Sequence, residues 1–175
     1  MVVFREAKAE DAEKIAQVHV ANWQLHYRGI LDDFYLDHQA LADRSKVWQK
    51  RLQYPDPNML LMLAVDLDQI IGFGCLFLDD DSEYGALLDN LHMAKTHTGM
   101  GIGSALMKAL AAEIIQRQAR HDMYLWVLKE NRSAIRFYQK LNGREKELAI
   151  EKELGKNPIE KVRYYWPDVS TLMLG

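Results

Sequence analysis

Glycines on alternate positions, Gly99, Gly101 and Gly103, stand in Thr98-Gly99-Met100-Gly101-Ile102-Gly103-Ser104, between an apolar run and a long apolar-periodic segment. No other feature restricts the fold of this chain so narrowly. Upstream, Ala86 to Met93 has the make-up of a strand. Downstream, Ile102, Leu106, Leu110 and Ile114 recur at helical spacing as far as about Arg117. A strand therefore gives way to a helix across a stretch poor in side chains. Glycine permits positive φ and leaves no Cβ between backbone and ligand. Successive N–H groups can then converge on an anion at the helix N-terminus, where the dipole also favours negative charge. Phosphate is the ligand that such a loop suits.

The spacing narrows which phosphate. No Gly-Lys-Ser/Thr follows the loop, which argues against a P-loop NTPase. A dinucleotide site wants Gly-x-Gly-x-x-Gly after a first strand, whereas here the glycines run Gly-x-Gly-x-Gly and the strand is not the first. By itself the loop also fits a plain strand-to-helix turn, or a phosphate- or nucleotide-binding α/β protein of another class.

The rest of the chain supplies alternating elements. Val2 to Glu6 reads as a strand, and Ala9 to Tyr27 as an amphipathic helix through Ala12, Ala16, Val20, Trp23 and Tyr27. Leu31 to Leu52 reads as one or two helices, ending at Tyr54-Pro55-Asp56-Pro57. Met59 to Asp66 and Gln69 to Leu78 read as strands joined by the tight link Leu67-Asp68, and Asp79 to Gly85 as a polar turn. Met123 to Leu128 is a further strand and Asn131 to Leu141 a helix; two strands follow Gly143, with Gly155, Asn157 and Pro158 marking the turn between them. The expected architecture is an α/β (α+β) sheet with helices on both faces, in one domain spanning residues 1–175.

Composition excludes several classes. The net charge of −3 offers no basic surface for nucleic acid or an anionic membrane, and no apolar run approaches the ~18 residues of a bilayer span. The N-terminus lacks the apolar core of a signal peptide, so a cytoplasmic protein is expected. A single cysteine, Cys75, excludes an intrachain disulfide, and no metal site is expected. Cys75 lies in an apolar strand-like run without an activating neighbour and reads as core.

A second motif lies some thirty residues beyond the loop: Leu125-Trp126-Val127-Leu128-Lys129-Glu130-Asn131-Arg132-Ser133-Ala134-Ile135-Arg136-Phe137-Tyr138-Gln139-Lys140-Leu141-Asn142-Gly143. Asn131 is a favoured N-cap, and Asn131, Ile135 and Tyr138 share one helix face, so an amide and a phenol address one cleft. Thr98 to Gly103 resembles the acetyl-CoA pyrophosphate loop of the GNAT superfamily, Gln/Arg-x-x-Gly-x-Gly/Ala, with Thr98 in place of the long polar residue. The Asn131 segment resembles that superfamily's second signature, Asn-x-x-Ala-x-x-Phe-Tyr-x-x-x-Gly, with Asn142 in place of the closing glycine and Gly143 where phenylalanine is usual. His19-Val20-Ala21-Asn22-Trp23, Tyr27-Arg28-Gly29-Ile30-Leu31 and Tyr35-Leu36-Asp37 are similar to the first helices of one GNAT subgroup.

The resemblance implies a mixed, mostly antiparallel sheet, splayed between the strand before the loop and the strand before the Asn131 helix. It implies an N-acetyltransferase with acetyl-CoA as co-substrate, acting by direct attack of an amine on the thioester. Backbone of Leu91, His92 and Met93 would orient the thioester and its oxyanion. Thr98, Gly99, Met100, Gly101, Ile102, Gly103 and Ser104 would hold the pyrophosphate, with Asn131 also on the cofactor. Tyr138 would serve the departing thiolate as acid, and Trp23, Tyr27 and Tyr35 would line the acceptor side.

For the base, the two-residue period places Leu87, Asp89, Leu91 and Met93 on one strand face, where burial would raise the pKa of Asp89. Asp89 is the candidate; a structural aspartate, His19 or His26 across the cleft, and a water chain are the alternatives. His92 faces the opposite way and reads as packing. The acidic run Asp79-Asp80-Asp81-Ser82-Glu83 reads as a solvated hairpin or as an attractor of cationic amines. The acceptor stays open among small amines, polyamines, aminoglycosides and peptide N-termini, and a homodimer is open too. A catalytically silent CoA-binding domain acting as sensor or interaction module is the rival function, since Thr98 departs from the family pattern.

Overall fold

A computed structural model describes residues 1–117, 120–151 and 158–174. The chain runs β1 (Val3–Glu6), α1 (Ala12–His26), α2 (Asp33–His38), α3 (Ala40–Gln53), β2 (Met59–Asp66), β3 (Gln69–Asp81), β4 (Gly85–Met93), α4 (Ile102–Arg117), β5 (Met123–Leu128), α5 (Arg132–Lys140), β6 (Arg144–Glu151) and β7 (Ile159–Trp166). The strands form one sheet in the order β1-β2-β3-β4-β5-β7-β6, with every described neighbour pair antiparallel except β4 and β5. The mixed, mostly antiparallel α/β architecture expected from the sequence is what forms.

Alternation along the strands sorts residues between two cores. Leu61 and Leu63 of β2 and Phe73 and Cys75 of β3 pack under α1 and α3, against Ile15, Ala16 and Trp48. Their neighbours Leu60, Met62 and Leu76 turn to the opposite face and meet Leu106, Met107, Leu110 and Ile114 of α4. Gly74 is part of that second fit. A Cβ there would lie 2.5 Å from Leu110 Cδ1, so only a bare backbone lets α4 settle onto the sheet.

Several elements differ in extent from the sequence expectation. α1 is preceded by a 3-10 turn over Ala9–Asp11, and the helical stretch after Leu31 divides into α2 and α3 at Gln39. β3 continues through the acidic run to Asp81, leaving only the last residues before Gly85 as turn. The Leu67-Asp68 link has positive φ at both residues, 47° and 64°, the geometry that matches the twist of a two-residue hairpin. A 3-10 segment over Val169–Leu174 was not anticipated; it buries Val169 and Leu172 in the α4 core. Of the turn expected between the last strands, Gly155 and Asn157 lie outside the described residues.

The end of α5 explains both departures from the second motif. Asn142 takes φ 61° and donates its N–H to the Gln139 carbonyl, while Gly143 N–H reaches the Tyr138 carbonyl, so a left-handed residue closes the helix. Trp166 is buried against this corner and donates from Nε1 to the Leu141 carbonyl at 2.8 Å. A Cβ at 143 would stand 2.6 Å from the indole. The large ring comes from β7, and position 143 must stay bare.

Candidate active site

The sheet opens where the glycine loop begins. β4 and β5 pair at Ala86 with Met123 and Leu87 with Tyr124, then part company. A cleft of about 1230 Å³ enters this gap, lined on one side by Leu125, Trp126 and Val127 and on the other by Leu88 to Met93. The expected splay is therefore present.

β4 carries an irregularity at the gap. Its register against β3 runs from Gly72–Met93 to Cys75–Asn90, then resumes at Leu76–Leu88, so one residue is extra beside Cys75. The alternation inverts there. Leu88, Leu91 and Met93 all pack on the α4 side, and Asp89 does not share their face. Asp89 is exposed, and its carboxylate accepts from Arg51 Nη1 at 2.8 Å. The burial expected of Asp89 is thus corrected. The two-residue period was interrupted by a bulge that only the neighbouring strand reveals.

Past the bulge, Ala94 N–H bonds to the Ile71 carbonyl at 2.7 Å. Antiparallel alternation then assigns the His92 N–H to the Phe73 partner and turns those of Leu91 and Met93 toward the gap. Of the three backbone groups expected to serve the thioester, two are so directed. The Met93 carbonyl also faces outward, where Asn22 Nδ2 donates to it at 2.9 Å.

The loop takes its shape from Gly99 and Gly101, each at φ 78°, with open space where a Cβ would stand. Gly103 differs from the expectation. It lies in the first turn of α4 with no positive φ, and its bare Cα faces Phe137 at 3.5 Å from a built Cβ. Thr98, Gly99, Gly101, Gly103 and Ser104 line the cleft. Met100 points into solvent, and the Ile102 side chain is buried with Ala64 and Ile71, so neither side chain lines it. Thr98 donates its hydroxyl to the Lys95 carbonyl at 2.8 Å. The short side chain braces the loop from within instead of offering its proton outward.

α5 delivers its expected face. Asn131 caps it by accepting from Ala134 N–H at 3.2 Å, and Asn131 and Tyr138 both line the cleft. Tyr138 is buried against Tyr164 and Trp166, and that burial, with Tyr27 nearby, raises its pKa above the ordinary tyrosine value. The phenol therefore stays protonated wherever an enzyme of this kind would work.

Trp23, Tyr27 and Tyr35 line the other half of the cleft, Trp23 stacking on Tyr27 at 5.9 Å. Between the halves, His19 and His92 lie ring to ring at 4.5 Å. Trp48 Nε1 donates to His19 Nδ1 at 3.1 Å, which fixes that nitrogen as the acceptor. Burial lowers the pKa of both rings, that of His92 to about 3, so both are neutral at pH 7.

A sequence model of the acetyltransferase (GNAT) family matches residues 23–143. The chain belongs to that family. It is an acetyltransferase. Among its relatives, an uncharacterized N-acetyltransferase of Bacillus subtilis, YuaI, is 28% identical across 98% of this chain and 96% of its own length. In fold the GNAT chain is similar to the PaiA N-acetyltransferase of Thermoplasma acidophilum in complex with coenzyme A, with a TM-score of 0.69, 22% identity and coverage of 93% of this chain and 98% of that one. It is similar also to NAA60 of Arabidopsis thaliana in complex with a bisubstrate analogue, with a TM-score of 0.71, 20% identity and coverage of 95% and 97%.

Sequence reasoning missed several residues of this acetyltransferase cleft. Arg44 and Arg51 of α3 line its acceptor half, and Asn22 ties α1 to the end of β4. Asn22 lies in the His19–Trp23 segment, yet nothing local points it at a carbonyl 71 residues away. Nothing in the local sequence sets the two arginines apart from other charges on an ordinary helix. No helix among the described residues is long and apolar enough to cross a membrane.

Proposed function

We propose that this acetyltransferase moves the acetyl group of acetyl-CoA onto an amine by direct attack while both substrates occupy the cleft. One observation carries the reading: a single cleft runs from the glycine loop, through the β4–β5 gap, to the aromatic wall of Trp23, Tyr27 and Tyr35. A pyrophosphate would sit on the N–H groups at the start of α4, where Gly99 and Gly101 leave the approach open. The pantetheine arm would follow the gap, and Asn131 would stand beside it.

The chemistry then balances in one transfer. The amine lone pair forms a bond to the acetyl carbon, and the carbon–sulfur bond breaks. N–H groups of Leu91 and Met93 are the donors that the tetrahedral oxyanion would meet. The thiolate takes its proton from the Tyr138 phenol, which solvent then reprotonates. The nitrogen loses its own proton to the base.

Asp89 is proposed as that base, since it lines the cleft and Arg51 fixes its side chain there through a hydrogen bond of 2.8 Å. Its exposure favours a second reading, in which the proton leaves through water and the Arg51–Asp89 pair shapes the wall. The Asp89→Asn variant separates the two: a base leaves its mark on the acidic limb of the pH–rate profile, a wall residue does not.

The function is tested by following free CoA thiol with a panel of amines. Turnover with at least one amine, with acetyl-CoA raising thermal stability and NAD failing to do so, is the expected result. Binding of acetyl-CoA without turnover on any amine would leave a CoA-binding module and overturn the transferase reading. A rise with NAD but not with acetyl-CoA would overturn the cofactor as well.

A further inference from the structure

Among the described residues, the acceptor half of the cleft holds a cation, Arg44, that no carboxylate pairs within 4.0 Å. Arg44 lines it with the guanidinium 5.0 Å above the Trp23 ring. Its neighbour Arg51 is neutralised by Asp89 at 2.8 Å. Asp32, on the same wall, is engaged as the cap of α2, accepting from Tyr35 N–H at 3.0 Å. Among the described residues Arg44 makes no ion pair within 4.0 Å. It meets the Trp23 face and the phenol of Tyr35, which the Asp43 carboxylate also reaches without pairing with Arg44, and its Nε is buried without a hydrogen bond.

A guanidinium half-withdrawn from water wants an anion, and a ring face answers only part of that demand. Its planar fork matches a carboxylate through two parallel hydrogen bonds. The surroundings are aromatic, so the same pocket favours an apolar side chain next to the charge. Resting on the transferase reading above, we infer that the acceptor is an amino acid: its carboxylate pairs with Arg44, its side chain packs among Trp23, Tyr27 and Tyr35, and its amine reaches the thioester. A polyamine would bring like charge against Arg44 and is disfavoured by it.

The test uses products, which keeps it independent of turnover and of amine basicity. N-acetyl derivatives of glycine, leucine and phenylalanine, each against its carboxamide, are titrated onto the protein saturated with CoA. The acid form of at least one apolar derivative should bind about 10²-fold more tightly than its amide. Arg44→Met, which keeps length and apolar contact with Trp23, should erase that ratio while CoA affinity stays as in wild type. Arg44→Lys should restore part of it, because the charge returns without the fork. Amides that bind as well as acids, or an Arg44→Met variant that keeps the preference, would overturn the inference. Free-thiol release with the corresponding amines then separates the two claims. Turnover of amides and polyamines as fast as amino acids keeps the transferase and overturns the Arg44 reading. Acid-selective binding with no turnover keeps Arg44 and overturns the transferase.

Discussion

Asn22 donates its side-chain amide to the carbonyl of Met93 at 2.9 Å and to that of Val18, one helical turn back, at 3.0 Å. One residue thus fastens the acceptor helix to the strand end from which the cofactor loop departs. Asn22→Ala should remove a bridge worth about 1 kcal/mol, lowering the melting temperature by roughly 2–4 °C for a chain of this size. Thermal unfolding checks it. A variant as stable as wild type would mean that water replaces the amide without loss.

Tyr138→Phe removes one oxygen and keeps the ring that packs on Tyr164 and Trp166. With chemistry rate-limiting, kcat should fall by ~10²–10⁴ while acetyl-CoA affinity holds, because thiolate charge appears only late in the reaction. Burial raises the pKa of this phenol, so the wild-type rate should not decline through loss of the acid below the ordinary tyrosine range. Full turnover in the variant would make the phenol a packing residue.

At Gly101 the backbone stands at φ 78°, where a β-branched side chain is strained by about 1–3 kcal/mol. Gly101→Val should therefore lose some stability and, more tellingly, the thermal shift that acetyl-CoA produces. A variant that is folded and still stabilised by acetyl-CoA would show that the loop is only a turn.

Gly143→Ala tests the corner behind Tyr138. The new Cβ would fall 2.6 Å from the Trp166 indole and 3.0 Å from the Tyr138 carbonyl, and neither can yield freely. A loss of about 1–3 kcal/mol is expected from denaturant unfolding. Asn142→Gly, at φ 61°, should cost little or raise stability, since the conformation is already the one glycine favours.

The two adjoining histidines set an acid limit. Burial depresses the pKa of His19 and takes His92 to about 3, against 6.5 for a free ring. The unfolded chain therefore binds protons that the folded one refuses. Stability from this source is full above about pH 6.5 and is lost as pH falls toward 3, at up to about 1.4 kcal/mol per pH unit for each ring. Urea unfolding at pH 7 and pH 5 should show the loss, and His92→Gln should lessen it. An equal slope in the variant would show that carboxylates, not this ring, carry the acid dependence.

Local rules reached far into this protein. Strand, glycine turn and apolar helix around Gly101, the cap at Asn131, the shared face of Asn131 and Tyr138, and the left-handed close at Asn142 all depend on neighbours within a few positions. For these, spacing along the chain is already geometry. What tertiary structure alone decided lies where distant segments meet. The bulge that inverts β4 at Asp89 exists only relative to Cys75 on β3, so a period of two could not foresee which face Asp89 takes. Arg51 becomes the partner of Asp89, and Asn22 that of Met93, across 38 and 71 residues. Arg44 is left facing the cleft because packing places α3 over it, and a charge on a helix carries no mark of its counter-ion until the fold has chosen its neighbours.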